Sequence, residues 1–532
     1  MLFWRCAQVI PLNGGPRDLE APKLIESIPA NATLNFKGKT IEFRFNEFIQ
    51  LRDIANQLVV TPQTKEKPVV ETNGKKVTVK FTEDLLPNTT YRLFFGTAIA
   101  DMRESNGIPN FEFVFSTGNT IDSLFIEGKV AKAFNLKPEK ETTVGLYLAD
   151  ENDSVVFKMK PLYFTKTNDN GSFKLSYLPK STFKIFAFSD YNRNLLFDGG
   201  EEAVGFNDNT VKTDVDSSVL LKTFKEPSSK TFLKKASSPF YGVAYIIYNK
   251  EQKNVVESYY KNQHENISGG SGMNDTCKVY YKDIFDTLRL IVHHPEVDKT
   301  DTISITVSSK ERFERQKTEN KTILTVDVSP LNGTKLDYFA NPVLLFNNWM
   351  DEKNSDVSKT VLMYKTDSII KTSLQLSKKT ENSFSIDNKL LPATNYEIML
   401  MKGAFKTMIG TESDSVKISF KTTEVSDYAK LNLKLLLPRK ENYIVQLIDA
   451  SEIVIAEQYV EMSLTSSAEQ VFKFKNLVPG NYFVKVIEDK NQNKKWDTGN
   501  ILLQKQPETI YFNALAIKLL ADWDSETEWK VE

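Results

Sequence analysis

At 532 residues the chain is too long for a single hydrophobic core, so several domains of ordinary size are expected. Its formal net charge is −1, and the 26% of charged residues mix both signs along the chain, which argues against a nucleic-acid binder with Lys and Arg massed on one face. Aromatic residues are 11%, dominated by 35 Phe, and short alternating runs of Phe, Val, Ile, Tyr and Thr favour strands.

The chain opens with MLFWRCAQVIPLNGGPRD, and two readings fit residues 1–21. One is the tail end of a lipoprotein signal peptide, with Cys6 acylated and a flexible tether after it. The other is an irregular start with a chance cysteine, because Phe-Trp-Arg before Cys6 departs from the small-residue pattern of such signals. Two cysteines, Cys6 and Cys277, cannot build a disulfide framework and do not identify a compartment. No stretch approaches the roughly 18–20 apolar residues that span a bilayer.

Residues 22–118 read as a β-sandwich. KTIEFRFNEF alternates Ile41, Phe43 and Phe45 against Glu42, Arg44 and Asn46, KKVTVKF does the same through Val77, Val79 and Phe81, and FEFVFSTG closes with Phe111, Phe113 and Phe115. Residues 121–215 supply further strands, with Asp169-Asn170-Gly171 as a hairpin signal and STFKIFAFSD leading into the oxygen-rich loop DYNRNLLFD. Residues 222–328 read as an unpaired β-domain carrying one Gly/Ser-rich loop.

The earlier order then returns. LLPATNYEIML in 329–424 matches LLPNTTYRLFF at an offset of 305 residues, Phe420 and Thr422 keep that offset from Phe115 and Thr117, and Phe346-Asn347 resembles Phe45-Asn46. In 428–520, FKFKNLVPGNYFVKVIEDKNQNKKWD parallels FKLSYLPKSTFKIFAFSDYNRNLLFD. Two different segments repeated in one order indicate a duplicated pair of domains. The tail 521–532 carries Trp523 and Trp529 among acids and reads either as a cover for its own domain or as a docking element. Helical periodicity is weak throughout. The expected fold is all-β, about five β-sandwich units in tandem.

These motifs carry a resemblance. PKLIESIPAN, KTIEFRFNEFIQL and FEFVFSTG resemble the bacterial Ig-like domain of the S-layer type, and IEGKVAKAF with TNDNGSFKLSYLPKSTFKIFAFSDYNRN is similar to a carboxypeptidase-regulatory-like, transthyretin-like module. Residues 6–205 together resemble the Ig-like-domain lipoproteins of Bacteroidetes, with 330–520 a looser echo. The resemblance implies an envelope protein lipidated at Cys6 and held at the outer membrane, facing either the periplasm or the surface. It implies no catalytic activity.

The two oxygen-rich loops have two readings. Calcium takes six to eight oxygen ligands, and Asp190, Asn192, Asn194, Asp198 and Glu201 can converge on one ion, as can Asp489, Asn491, Asn493 and Asp497. Both loops, however, have a non-glycine residue, Leu195 or Lys494, where an EF-hand loop has glycine. The plain reading is an Asp/Asn-rich connection whose side chains cap their own backbone. His293 and His294 with Glu296 are a poor metal set, because adjacent strand residues face opposite ways; His264 stands apart. No HExxH, Walker loop, GxSxG or dinucleotide-binding glycine pattern occurs.

The expected function is a non-enzymatic cell-envelope binding or scaffolding protein, such as an accessory subunit of an outer-membrane protein assembly, with calcium the only cofactor in question. A carbohydrate-binding or adhesion protein is the first alternative and a hydrolase with a loop-built site the second. Nucleic acid is not an expected partner.

Overall fold

The computed structural model describes residues 18–216, 218–226, 232–249, 255–258, 267–269, 275–294, 299–318, 324–365, 368–380, 382–438, 441–463 and 467–532. Cys6, His264 and Glu296 lie outside the described residues. The architecture is all-β, and the chain divides into two compact units. One comprises Met1–Glu226 with Val486–Phe512, the other Pro227–Lys485 with Asn513–Glu532.

The first unit begins with a two-sheet sandwich. Strands Leu24–Ile28, Thr40–Phe45, Lys76–Lys80 and Val69–Asn73 form one sheet in that order, and Val59–Thr61, Thr90–Phe94 and Glu112–Ser116 form the other. The alternation read from sequence is what fills the space between them: Ile41, Phe43, Phe45, Val77, Val79, Phe113 and Phe115 are all buried. Phe43 meets Phe95, Phe111 and Phe113 edge-on, with ring centroids 5.7, 5.3 and 5.1 Å away, the arrangement aromatic quadrupoles prefer. Tyr91 ties the connection LLPNTTY to the core, its hydroxyl accepting the Leu86 N–H at 2.9 Å.

The second module of this unit is a larger, eight-stranded sheet. Its order is Tyr163–Lys166, Thr143–Leu148, Thr182–Phe188, Ala203–Phe206, Ser218–Lys225, Leu124–Lys132 and Ser172–Leu178, with Val211–Lys212 also paired to Thr182–Phe188. Asn168 to Gly171 form the expected hairpin turn: Gly171 has φ 75° and its N–H donates to the Asn168 carbonyl at 3.0 Å. Ser218–Lys225 runs parallel to Leu124–Lys132 and lies past residue 215, so it falls outside the segment read from sequence. Its partner strand is far away in sequence, which local patterning does not register.

In the second unit, Leu233–Phe240, Val243–Tyr248, Thr276–Tyr281 and Ile267–Gly269 make one sheet and Val255–Ser258, Thr287–His294 and Lys299–Thr306 another. Ile246, Leu288, Leu290, Val292 and Cys277 are buried in the core they enclose. The longest helix among the described residues, Lys310–Thr318, has nine residues, in keeping with the helix-poor reading. KERFERQKT has too few apolar residues to show a helical stripe, and Phe313 anchors it, 4.1 Å between ring centroids from Tyr241.

The next sandwich pairs the sheet Val326–Ser329, Val343–Phe346, Ser383–Ile386, Leu376–Thr380 with the sheet Lys335–Leu336, Val416–Thr422, Asn395–Leu400, Thr360–Lys365, Ile369–Thr372. The repeated residues of the two sandwiches do the same work. The Tyr396 hydroxyl accepts the Leu391 N–H at 2.7 Å, as Tyr91 does for Leu86. Thr422 Oγ1 donates to the Leu391 carbonyl at 2.6 Å, as Thr117 does to Leu86 at 2.7 Å. Asn347 Oδ1 accepts the Thr325 N–H at 3.3 Å, as Asn46 does for Lys23 at 2.7 Å.

Ala429–Leu436 lies between Glu469–Leu477 and Asp524–Lys530, the latter parallel to it. The tail is therefore a strand of its own domain, occupying the place that Ser218–Lys225 holds in the earlier module. Its burial alternates, with Ser525, Thr527 and Trp529 half-buried and the acids exposed, and Lys430 meets Asp524 at 2.9 Å. The acids mask this pattern in the sequence. Trp523, before the strand, is exposed.

Candidate functional site

The strand Thr182–Phe188 leads into the first oxygen-rich loop, and every acid in it is already engaged. Asp190 accepts the N–H of Asn194 on Oδ1 at 2.9 Å and of Leu195 on Oδ2 at 3.2 Å. Asn192 Oδ1 accepts the Asn194 N–H and Asn194 Oδ1 the Leu196 N–H, at 3.1 and 2.7 Å. Both amide nitrogens then converge on Asp198 Oδ2, at 2.7 and 2.9 Å. Arg193 and Leu195 reach φ 62° to make these turns.

The fourth acid of the loop is Glu202. Glu201 points outward and pairs with Lys225 at 3.0 Å, whereas Glu202 is buried and accepts the N–H of Tyr191 at 3.1 Å and of Asp198 at 2.9 Å. Burial pushes the Glu202 carboxyl above its usual range; the two N–H donors oppose this, and the nearby charges of Asp198 and Asp190 add to it. Behind the loop the Tyr147 hydroxyl is buried with no hydrogen-bond partner among the described residues, and burial with the Asp190 charge raises it well above an ordinary phenol.

The second loop reproduces the first bond for bond. Asp489 accepts the N–H groups of Asn493 and Lys494 at 3.2 and 2.9 Å, Gln492 and Lys494 sit at φ 63°, and Asn491 and Asn493 donate to Asp497 Oδ2. Glu508 takes the role of Glu202, accepting Lys490 and Asp497 N–H groups at 3.0 Å each. Sequence reading missed both glutamates. In the first loop Glu201 occupies the expected spacing, and in the second Glu508 comes after a longer return. The usable signal is a glutamate one or two residues before the next strand, Glu202 before Ala203–Phe206 and Glu508 before Ile510–Leu519.

That longer return docks on the neighbouring module of the same unit. Ile501 is fully buried in a cluster with Phe197, Val204, Phe206 and Phe224. Gln506 donates to the Phe206 carbonyl at 2.9 Å and Asp208 at 2.7 Å, and the Ile501 N–H to Glu226 at 2.6 Å. A Cβ on Gly499 would fall 2.6 Å from Phe224 Cζ, so only glycine allows this approach.

The donor sets fit calcium in kind. In each loop one carboxylate and two amides meet at a point, and rotating the amides presents their oxygens instead of their nitrogens. That rotation breaks the Asn caps on the backbone. Among the described residues no group of three or more His, Cys, Asp and Glu is spaced for a metal. His293 Nδ1 lies 3.1 Å from Thr300 Oγ1 across the strand pair.

Asp190, Arg193 and Leu195 also border a cleft of about 700 Å3 that sequence reading did not foresee. Residues of Val59–Thr61 and of Tyr163–Lys166 line it. Each of these strands is the last of its sheet in hydrogen-bond order, and the two lie near each other at the cleft. Just beyond them the Gln63 N–H donates to the Leu162 carbonyl at 2.8 Å. Phe94 and Phe164 give the cleft apolar surface. Arg92 reaches over Phe94, 4.7 Å from the ring centre, while its Nε holds Glu112 at 2.6 Å.

Residues 18–117 match the model of the bacterial Ig-like domain. No curated protein matches the chain. Among solved structures, surface layer protein SbsC, domains 1–6, is similar at 11% identity over 90% of this chain and 67% of that one, with a TM-score of 0.14. BcpA, the major pilin subunit of Bacillus cereus, is similar at 9% identity over 77% and 99%, TM-score 0.14. The chicken CNTN1 FN1–FN3 domains are similar at 11% over 49% and 91%, TM-score 0.12. The Ig-like domain thus forms one wall of the cleft, through Val59–Thr61 and Phe94.

Proposed function

We propose that the chain is a non-enzymatic binding and scaffolding protein of the cell envelope, anchored to the outer membrane through Cys6 and serving as an accessory subunit of a protein assembly there. The observation that carries this reading is the cleft beside the Ig-like domain, where two edge strands stand at one opening. An extended segment of a partner adds to such an edge through main-chain hydrogen bonds, and apolar side chains such as Phe94 and Phe164 receive its alternate residues. The two oxygen-rich loops act as structural turns that take calcium weakly, through Asn192, Asn194 and Asp198 in one and Asn491, Asn493 and Asp497 in the other.

The test is expression of the full-length gene in a Bacteroidetes host, extraction of the tagged protein from detergent-solubilised outer membrane, and intact mass analysis with identification of co-purifying proteins. An acyl adduct at Cys6 together with stoichiometric companions is expected. An unmodified, soluble, solitary protein overturns both the anchor and the accessory role.

A further inference from the structure

The outward face of the sheet Lys335–Leu336, Val416–Thr422, Asn395–Leu400, Thr360–Lys365, Ile369–Thr372 has an unusual charge. Alternation and register place Lys335, Lys365, Lys371, Lys417 and Lys421 on it, against one acid among the described strand residues, Glu397. Lys417 holds Glu397 at 2.8 Å, and none of the other four lysines has a carboxylate partner among the described residues. Lys335 sits directly opposite Lys421, and Lys421 opposite Asn395. The register carries this row on to Lys365. Like charges directly opposite one another destabilise a sheet. Departures from such local rules are expected mainly at functional or strained sites.

The row borders a groove of about 590 Å3 whose lining includes Thr334, Met363, Ile369, Asn395, Ser419 and Glu397 besides Lys335, Lys365 and Lys421; the charge of Glu397 is matched by Lys417. From this face we infer a binding site for a linear carboxylated polysaccharide. Three features select that class. Neighbouring strands lie about 4.8 Å apart, so Lys421 and Lys365 stand roughly 10 Å apart, a spacing suited to charges on alternate residues of an extended sugar chain. The hydroxyl and amide groups of Thr334, Ser419 and Asn395 match sugar hydroxyls, and Met363 and Ile369 match the apolar face of a sugar ring. Finally, the face holds no arginine for bidentate phosphate contacts, and register turns its aromatics, Tyr364, Tyr396 and Phe420, to the other side, where Tyr396 and Phe420 are buried and stacked on each other at 5.4 Å. Both traits disfavour nucleic acid. This inference is independent of the protein-binding cleft.

The test uses the full chain with polygalacturonate as probe and dextran and oligothymidylate as comparators, by calorimetry at low and moderate salt. Polygalacturonate is expected to bind with an affinity that falls with salt, and dextran not to bind. The triple variant K335Q/K365Q/K421Q should lose about tenfold or more in affinity and flatten the salt dependence. The variant K37Q/K65Q/K80Q, which removes the same charge elsewhere, should not. On the unaltered chain, polygalacturonate should protect Lys335, Lys365 and Lys421 from acetylation, read by mass spectrometry. No binding, equal loss in both variants, tighter binding of oligothymidylate, or protection spread evenly over all lysines overturns the proposal.

Discussion

The carboxylate of Glu202 accepts the backbone N–H of Asp198, closing the first oxygen-rich loop from the side opposite Asp190. Replacing Glu202 with Ala leaves two donors in a confined place without acceptors, at roughly 1–3 kcal/mol each. Amide hydrogen exchange at Tyr191 and Asp198 should accelerate accordingly, and unchanged protection would contradict this role. The carboxyl is raised above its ordinary value chiefly by burial, so its favourable contribution is complete below the usual carboxylate range. That contribution fades as pH rises through the folded-state value. Glu202→Gln should remove this pH term while keeping one acceptor.

Asp101 shows the opposite sign. Burial pushes its carboxyl up, but N–H groups of Glu104, Asn106, Ser105 and Arg103 together outweigh burial and hold it below the usual value. Its contribution is present above the ordinary carboxylate pKa and is lost as pH falls through the folded one. Asp101→Asn should leave the Ig-like domain less stable at neutral pH, by roughly 2–4 kcal/mol, with the deficit shrinking in acid. Denaturant melts at neutral and acid pH check this, and a deficit that does not change with pH would count against it.

Much of this architecture is legible in the sequence because it is local. Phe43 and Phe45 alternate with charged residues, and LLPNTTY and LLPATNY each fold a tyrosine onto a backbone N–H five residues earlier, so pattern and structure coincide. What stays hidden depends on distant partners. Asp524–Lys530 is strand only because Ala429–Leu436 lies beside it, and Val59–Thr61 and Tyr163–Lys166 share a cleft only after their sheets have formed. The lysine row is invisible too, since Lys335, Lys365 and Lys421 come together through pairing register and not through spacing.

The duplicated corners differ at one informative position. Asn88 and Ala393 occupy the same left-handed turn, at φ 50° and 53°. Asparagine tolerates that region and alanine does not, at a cost of about 1 kcal/mol. Ala393→Asn should therefore stabilise its sandwich by roughly 0.5–1 kcal/mol, seen as a higher denaturation midpoint; a lower one would refute the comparison.

Calcium entering either loop must turn two asparagine amides away from the backbone groups they cap. Binding in the range of about 10⁻⁴–10⁻³ M is expected, measured by calorimetry on chelator-treated protein. Asp198→Asn should abolish it in the first loop and leave the second unaffected. Affinity in the nanomolar range would mean the loops rearrange far more than the caps imply.

Ile501 offers a sharper probe of packing. Its burial among Phe197, Val204, Phe206 and Phe224 makes Ile501→Ala worth roughly 2–5 kcal/mol. Protease cleavage between Thr498 and Gln506 should become faster in the variant, and equal rates would show that the return is held by its hydrogen bonds alone.

The docked return also bears on ancestry. After duplication, the two modules began as interchangeable parts, and their loops still match bond for bond. The longer return of the later module now supplies Ile501 to the interior of the earlier one, so the repeats are no longer equivalent. A premature stop after Lys485 would expose oily surface on a module whose own sequence is untouched, and exchanging the two loops between modules would damage both.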